Sequence, residues 1–75
     1  HFEIIEDINI LDLLINNSIC TSKREAREFL NSGAISINEQ KITDENFVVT
    51  KKIAIENEII VIRRGKKKNY IGMFI

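Results

Sequence analysis

The spacing of the apolar residues changes at Gly33, and this change limits the folds that the chain can adopt. Before Gly33, apolar residues recur at helical intervals over about residues 10–18 and again after Ser22. After Gly33, apolar β-branched residues follow the period of two that is typical of half-buried strands. The chain has 75 residues, which is enough for one domain. The sequence therefore predicts an α+β domain in which two N-terminal helices pack on a small antiparallel sheet.

The two predicted helices carry their own start and stop signals. Asn9 is a good N-cap for the first helix. Ser22 and Glu25 form an S-x-x-E capping box at the start of the second helix. Gly33 follows the second helix in the position that commonly takes a left-handed conformation.

The remaining segments are predicted from apolar and turn residues. Residues 1–8 carry acids and alternate only loosely, so we expect a leader or linker there and the domain in residues 9–75. The segments predicted to be extended are Ile35–Ile37, Lys41–Ile42, Phe47–Thr50, Ile53–Ile55, Ile59–Arg64 and Asn69–Ile75.

Several classes of function are excluded by residues that the sequence lacks. The only His is His1 and the only Cys is Cys20, which leaves no internal histidine base and no His/Cys cluster for zinc. No GxxxxGK[ST] loop is present for a nucleotide. We therefore expect no catalytic site, no metal and no cofactor. We also expect the chain to fold as a monomer. The absence of a secretion signal, paired cysteines and a long apolar run predicts a cytoplasmic protein that does not enter a membrane.

The charges of the chain are balanced in number but uneven in position. Lys and Arg together number 11, and so do Asp and Glu. Residues 1–22 contain acids and no Lys or Arg, whereas residues 63–68 contain only cations and one Gly. A concentrated basic cluster attracts a polyanion at one pole of the molecule. The alternative is a charged hairpin tip that discourages strand pairing.

The second predicted helix has an unfavourable arrangement of charges. At 100° per residue, Lys23, Arg24 and Arg27 share one flank, and Glu25 and Glu28 share the other. Lys23 and Arg27 are a like-charged i,i+4 pair, which costs about 0.2–0.5 kcal/mol. Cations in the first turns of a helix also oppose its dipole. Because helix stability does not favour this pattern, it indicates an anionic partner such as a phosphate backbone; the alternative is a solvated helix face.

Two segments of the sequence resemble known families. Residues 9–42, with SKREAR at 22–27 and GAISIN at 33–38, resemble the S4 RNA-binding domain. The tail VIRRGKKKNY at residues 61–70 resembles the end of bacterial-type tyrosyl-tRNA synthetases, which carry an S4-like domain at the C-terminus. The two halves together are similar to that C-terminal domain and imply the S4-like (alpha-L) fold. Glu39 stands where the S4 pattern usually has Gly, so this turn has to form without one.

The resemblance implies the tRNA-binding domain of a tyrosine–tRNA ligase, with tRNA, and specifically tRNA-Tyr, as its partner. It also implies a homodimeric parent enzyme that uses ATP in a catalytic domain absent from this chain. The alternatives are an S4 module of another RNA protein, such as a ribosomal protein, a pseudouridine synthase or a heat-shock RNA binder, or a protein-interaction module with a basic rim.

The expected RNA contacts lie on the second helix and on the C-terminal hairpin. The cations are expected to meet phosphates. Tyr70 either stacks on an unpaired base or is a half-buried strand residue with a solvated hydroxyl. The candidate RNA-binding residues are Lys23, Arg24, Arg27, Arg63, Arg64, Lys66, Lys67, Lys68 and Tyr70.

Overall fold

The computed structural model describes residues 1–75 and contains two α-helices and seven β-strands. The helices are α1 (Ile10–Asn16) and α2 (Lys23–Asn31). The strands are β1 (Phe2–Ile4), β2 (Ile8–Asn9), β3 (Ile35–Ile37), β4 (Gln40–Lys41), β5 (Val48–Val49), β6 (Ile59–Arg64) and β7 (Lys68–Phe74). Neither helix is long and apolar enough to cross a membrane.

Five strands form one sheet in the order β1-β7-β6-β3-β4, while β2 and β5 pair with each other. β1 runs parallel to β7, and all the other strand pairs are antiparallel. The β6–β7 hairpin forms the centre of the sheet and joins β3, the strand that follows α2. This arrangement of two helices and an antiparallel-rich sheet is the α+β fold that the sequence predicts.

The core lies between the helices and one face of the sheet. Ile60 and Ile62 of β6 are fully buried, whereas Arg63 is exposed and Val61 only partly covered. No polar or charged residue is buried, so the core consists of apolar side chains. The side chains of β3, β6 and β7 that point away from the helices form what we call the outer face.

The predicted helix caps are confirmed. The Asn9 Oδ1 atom accepts a hydrogen bond from the Leu11 backbone N–H at 2.8 Å. Ser22 Oγ accepts from the Glu25 N–H at 3.2 Å, and the Glu25 carboxylate accepts in return from the Thr21 N–H at 3.0 Å. The bonds from the Leu11 and Glu25 N–H groups satisfy donors that a helix leaves free at its N-terminus, and the bond from Thr21 ties the residue before the N-cap to the first turn of α2.

The ends of the helices depend on left-handed residues. Gly33 has φ 77°, as expected for the residue after α2. α1 ends at Asn16, before the expected end at residue 18, because Ser18 itself is left-handed with φ 59°. The helix therefore ends at the start of the polar run Asn16-Asn17-Ser18.

The structure departs from the expected leader or linker at Phe2–Ile4. This segment is β1, which pairs with Gly72, Met73 and Phe74 of β7, and Ile4 belongs to the core. The ring of Phe2 lies over Gly72, where a Cβ atom would come within 2.8 Å of it. Because β1 is short and its partner is at the other end of the chain, local alternation does not reveal the pairing.

The prediction of an extended strand at Ile53–Ile55 is wrong. Lys51–Ile53 form a 3₁₀ turn, and Ile55 makes only an isolated bridge to Ile59. The Ile53 carbonyl accepts from the side-chain amide of Asn38 at 2.9 Å, so a side chain takes the place of a neighbouring strand. Tertiary contacts have therefore overridden the β-propensity of this apolar segment.

The turn between β3 and β4 forms without glycine. Asn38 has φ 50° and Glu39 has φ 72°, so both central residues are left-handed, as a type I′ hairpin requires. The Asn38 side chain fixes the turn, since its Oδ1 also accepts from the Val61 N–H at 2.9 Å. Asn is among the residues that tolerate this conformation, whereas Glu39 occupies it at a cost.

Candidate nucleic-acid interface

Both arginines on the basic flank of α2 are paired with acids. We call Lys23, Arg24 and Arg27 the helix flank. Arg24 Nε lies 3.3 Å from Glu28 Oε1, and the Arg24 side chain is 91% exposed. Arg27 Nε lies 3.5 Å from Glu45 Oε2, and both side chains are about half exposed. Lys23 is exposed and forms no ion pair.

The loop that carries Glu45 is fixed against the start of α1. The Asn9 side-chain amide donates to the Glu45 carbonyl at 2.9 Å, and the Ile10 N–H donates to the Phe47 carbonyl at 2.9 Å. The carboxylate of Glu45 is thereby held beside Arg27. Sequence reasoning missed Glu45 because this contact joins two distant segments and follows no local period.

The neighbouring arginines at the end of β6 point to opposite faces of the sheet. Arg64 is opposite Ile35, which is fully buried, so Arg64 points towards the helices. Arg63 is opposite Ser36 and Asn69 and lies on the outer face. The alternation of side chains along a strand thus separates two residues that the sequence places side by side.

Arg64 is bound within the domain. Its Nη1 atom donates to the Ile19 carbonyl at 2.5 Å, and its guanidinium carbon lies 5.3 Å from the centroid of the Phe29 ring. A charge-assisted hydrogen bond and a cation–π contact both stabilise this position. Arg64 therefore links β6 to α2 and to the turn between the helices.

The thiol of Cys20 lies in the same turn and is buried. Burial raises the pKa of the Cys20 thiol, the nearby Glu25 carboxylate raises it further, and the positive charge of Arg64 opposes the rise. Cys20 is thus a protonated apolar member of the core, next to the anchored guanidinium.

The cations at the turn of the β6–β7 hairpin have no acidic partners. We call Lys66, Lys67 and Lys68 the hairpin tip; all three are exposed and none forms an ion pair. Gly65 supplies the left-handed residue of the turn with φ 69°, and its N–H donates to the Ala34 carbonyl at 2.8 Å. Arg63 donates through Nη2 to the Lys66 carbonyl at 3.1 Å, which orders the base of the tip. The result is an uncompensated positive charge on a well-anchored hairpin.

The helix flank and the hairpin tip are not one continuous surface. The contact between Arg64 and Phe29 puts the hairpin on the Phe29 side of α2. Arg27 lies about 160° around the helix from Phe29, at 100° per residue, and contacts Glu45 instead. The structure therefore groups the candidate cations into two basic surfaces on different sides of α2.

Tyr70 lies on β7, two residues after Lys68 of the hairpin tip. It is opposite Ile62, points towards the helices and packs partly buried against the core. A pocket that Tyr70 lines also includes His1, Phe2 and Asn17. No group of three or more His, Cys, Asp or Glu side chains is placed to hold a metal ion.

Comparison with known families decides what kind of domain carries these surfaces. A family model described as "Tyrosine--tRNA ligase SYY-like C-terminal domain" matches residues 2–72. The chain belongs to this family of tyrosine–tRNA ligase C-terminal domains. The resemblance drawn from the residues is thereby confirmed, and the family match includes the strand β1.

Curated tyrosine–tRNA ligases contain segments similar to this C-terminal domain. The enzyme of Streptococcus agalactiae serotype Ia is 44% identical over 74 residues, which are 99% of this chain and 18% of that protein. The enzyme of Streptococcus thermophilus is 48% identical over 66 residues, which are 88% of this chain and 16% of that protein. The chain therefore spans less than a fifth of the length of these relatives.

A solved structure has the same fold. The chain is similar to a structure titled "Solution structure of tyrosyl-tRNA synthetase C-terminal domain", with a TM-score of 0.76 and 33% identity. The match covers 100% of this chain and 79% of that one. The S4-like fold expected for this C-terminal domain is confirmed.

Proposed function

We propose that this domain binds tRNA by contacts of its cations with the phosphate backbone, as part of a tyrosine–tRNA ligase. The observation that carries the proposal is the hairpin tip, a group of exposed lysines without acidic partners on a chain of zero net charge. Unpaired cations attract a polyanion, and their contacts with phosphate release counterions. The names of the relatives support tRNA as the polyanion.

The helix flank is the second proposed contact. Its arginines offer planar forks that match a phosphate, but each already contacts a carboxylate. RNA that binds there has to displace Glu28 and Glu45. We therefore assign the helix flank a smaller share of the affinity than the hairpin tip.

The mode of recognition follows from the form of RNA helices. A-form RNA hides the base edges of its major groove, so a basic surface outside the helix meets phosphates and 2′-hydroxyls. We propose that the domain recognises the shape of tRNA-Tyr in this way. Arg63 adds a donor at the base of the hairpin tip, whereas Arg64 acts by positioning the hairpin against α2.

We also propose that the parent protein is a homodimeric, cytoplasmic tyrosine–tRNA ligase that uses ATP, while this domain by itself is monomeric and binds no cofactor. The family assignment supports this reading over an S4 module of another RNA protein. A protein-interaction module with a basic rim is the remaining competitor. The two readings differ in how binding responds to salt.

The test is a titration of labelled tRNA-Tyr with the chain at several salt concentrations, followed by fluorescence anisotropy. We expect log K to fall linearly with log salt, by about 0.7–0.9 units for each phosphate contact. A tRNA for another amino acid serves as the control for specificity and should bind more weakly. Absence of binding at low salt, or binding that does not change with salt, contradicts the proposal.

A further inference from the structure

The outer face of the sheet contains a depression that the two basic surfaces do not use. Its volume is about 630 Å³, within the range of small-ligand sites. No helix covers this side of the sheet. The residues that line it are Ser36, Asn38, Glu39, Ile55, Val61, Arg63 and Asn69.

The depression has a basic end and an acidic end. Arg63 and Asn69 are directly opposite each other on β6 and β7, with Ser36 opposite Arg63 on β3. Glu39 follows in the turn after β3, three residues further along the chain than Ser36. An anionic group is therefore favoured at Arg63, and a hydrogen-bond donor is favoured at Glu39.

The floor between these ends is apolar. Val61 is the next residue of β6 on the outer face, and Ile55, which also lines the depression, is 52% exposed. The rim is rigid, because the Asn38 side chain bonds both the Ile53 carbonyl and the Val61 N–H at 2.9 Å. A flat, partly apolar group can lie on this floor without reorganising the turn.

We propose that this depression holds one unpaired nucleotide of the bound RNA, an inference that rests on the proposed RNA binding. Its phosphate contacts Arg63, which continues the charge of the hairpin tip, and its base lies across Ile55 and Val61. Glu39 accepts a hydrogen bond from an exocyclic amino group of the base. Cytosine presents such a donor at N4, whereas uracil presents an acceptor at the same position.

The choice of cytosine over uracil gives a direct test. Short oligocytidylate and oligouridylate strands of equal length are titrated into the chain and followed by NMR shifts of backbone amides. We expect oligocytidylate to bind about fivefold more tightly. We expect Glu39→Gln to remove this preference, because an amide can both donate and accept. Equal binding of the two strands by the unchanged chain overturns the proposal.

The apolar floor is tested with a matched pair of variants. Ile55→Gln should weaken oligocytidylate binding about fivefold, since it removes apolar contact area. Ile75→Gln changes the same residue type at a site that is 63% exposed and lies at the other end of β7 from the hairpin tip, and it should leave binding unchanged. Equal effects of the two variants overturn the proposal. So does sedimentation that shows a dimer of the chain lost in Ile55→Gln, because the face then contacts a second copy.

Failure here is distinguishable from failure of the proposed function. If Lys66, Lys67 and Lys68 are needed for tRNA binding but the outer-face variants behave as the unchanged chain, only the nucleotide site is overturned. If tRNA does not bind at all, both are overturned.

Discussion

The helix flank and the hairpin tip are both basic, but they differ in their acidic neighbours. Arg24 and Arg27 each contact a carboxylate, at 3.3 Å and 3.5 Å. The lysines of the hairpin tip contact none. A phosphate therefore competes with an existing partner at the first surface and meets solvated ammonium groups at the second. The difference shows that a count of cations does not measure the capacity of a surface to bind a polyanion.

The largest expected effect is on the hairpin tip. Replacement of Lys66, Lys67 and Lys68 by Gln should weaken tRNA binding at low salt by about 2 kcal/mol, from roughly 0.5–1 kcal/mol for each exposed charge pair. Folding should be unaffected, because these side chains are exposed and form no ion pair. Fluorescence anisotropy measures the affinity, and circular dichroism checks the fold.

A double change of Lys51 and Lys52 to Gln is the control for this variant. These lysines are exposed in the 3₁₀ turn, so their loss removes positive charge elsewhere on the molecule. The loss of affinity per charge removed is then compared between this control and the hairpin variant. If the two losses are equal, the affinity depends on the net charge of the chain and not on the position of the hairpin tip.

The second effect separates the two adjacent arginines of the hairpin. Arg64→Met should lower the free energy of unfolding by about 1–2 kcal/mol, because it removes a charged donor from the Ile19 carbonyl and a cation from the Phe29 ring. Arg63→Met should leave unfolding almost unchanged. Urea denaturation measures both variants.

The buried thiol reports on the same anchor. Because Cys20 lies in the turn that Arg64 holds, Arg64→Met should expose this thiol and speed its reaction with a disulfide reagent, and we expect this gain in access to outweigh the smaller thiolate fraction that follows from losing the positive charge. Equal stability and equal thiol reactivity in the two methionine variants would mean that Arg64 does not position the hairpin.

A smaller effect is expected on the helix flank. The double change of Arg24 and Arg27 to Gln should weaken tRNA binding by about 1 kcal/mol. This loss is smaller than that of the hairpin variant, because each arginine has to give up its contact with a carboxylate before it binds a phosphate. The helix should remain as stable, because a like-charged pair and an unfavourable dipole interaction are relieved. A loss of affinity greater than that of the hairpin variant reverses the ranking of the two surfaces.

The smallest effect tests the competition between carboxylate and phosphate. Glu45→Gln releases Arg27 from its ion pair and should raise tRNA affinity about twofold. Glu58→Gln removes the same charge from an exposed residue without an ion pair and serves as the control. Anisotropy titrations at one salt concentration compare them. An equal gain in both variants indicates a general field effect and no competition at Arg27.

Local features of the structure were predictable from the sequence. The caps at Asn9 and Ser22 and the left-handed Gly33 depend on neighbours within a few residues, and all three have the expected geometry. The β6–β7 hairpin follows from alternation and turn residues. These parts of the fold are encoded where they occur.

Contacts between distant segments were not predictable in the same way. The pairing of β1 with β7, the ion pair of Arg27 with Glu45 and the hydrogen bond from Arg64 to Ile19 each join residues far apart in the chain. Their geometry depends on how the elements pack, and no local period records it. The candidate cations were therefore visible in the sequence, but their division into paired, anchored and unpaired groups was not.

The most direct test of this division is the salt dependence of tRNA binding in two variants. Each phosphate contact that is lost should flatten the slope of log K against log salt by about 0.7–0.9 units. We expect the hairpin variant, with Lys66, Lys67 and Lys68 changed to Gln, to flatten the slope by about two units. The helix variant, with Arg24 and Arg27 changed to Gln, should flatten it by about one unit or less. The account that unpaired hairpin lysines bind the RNA backbone would be contradicted if the helix variant flattened the slope more than the hairpin variant. It would also be contradicted if both variants kept the slope of the unchanged chain.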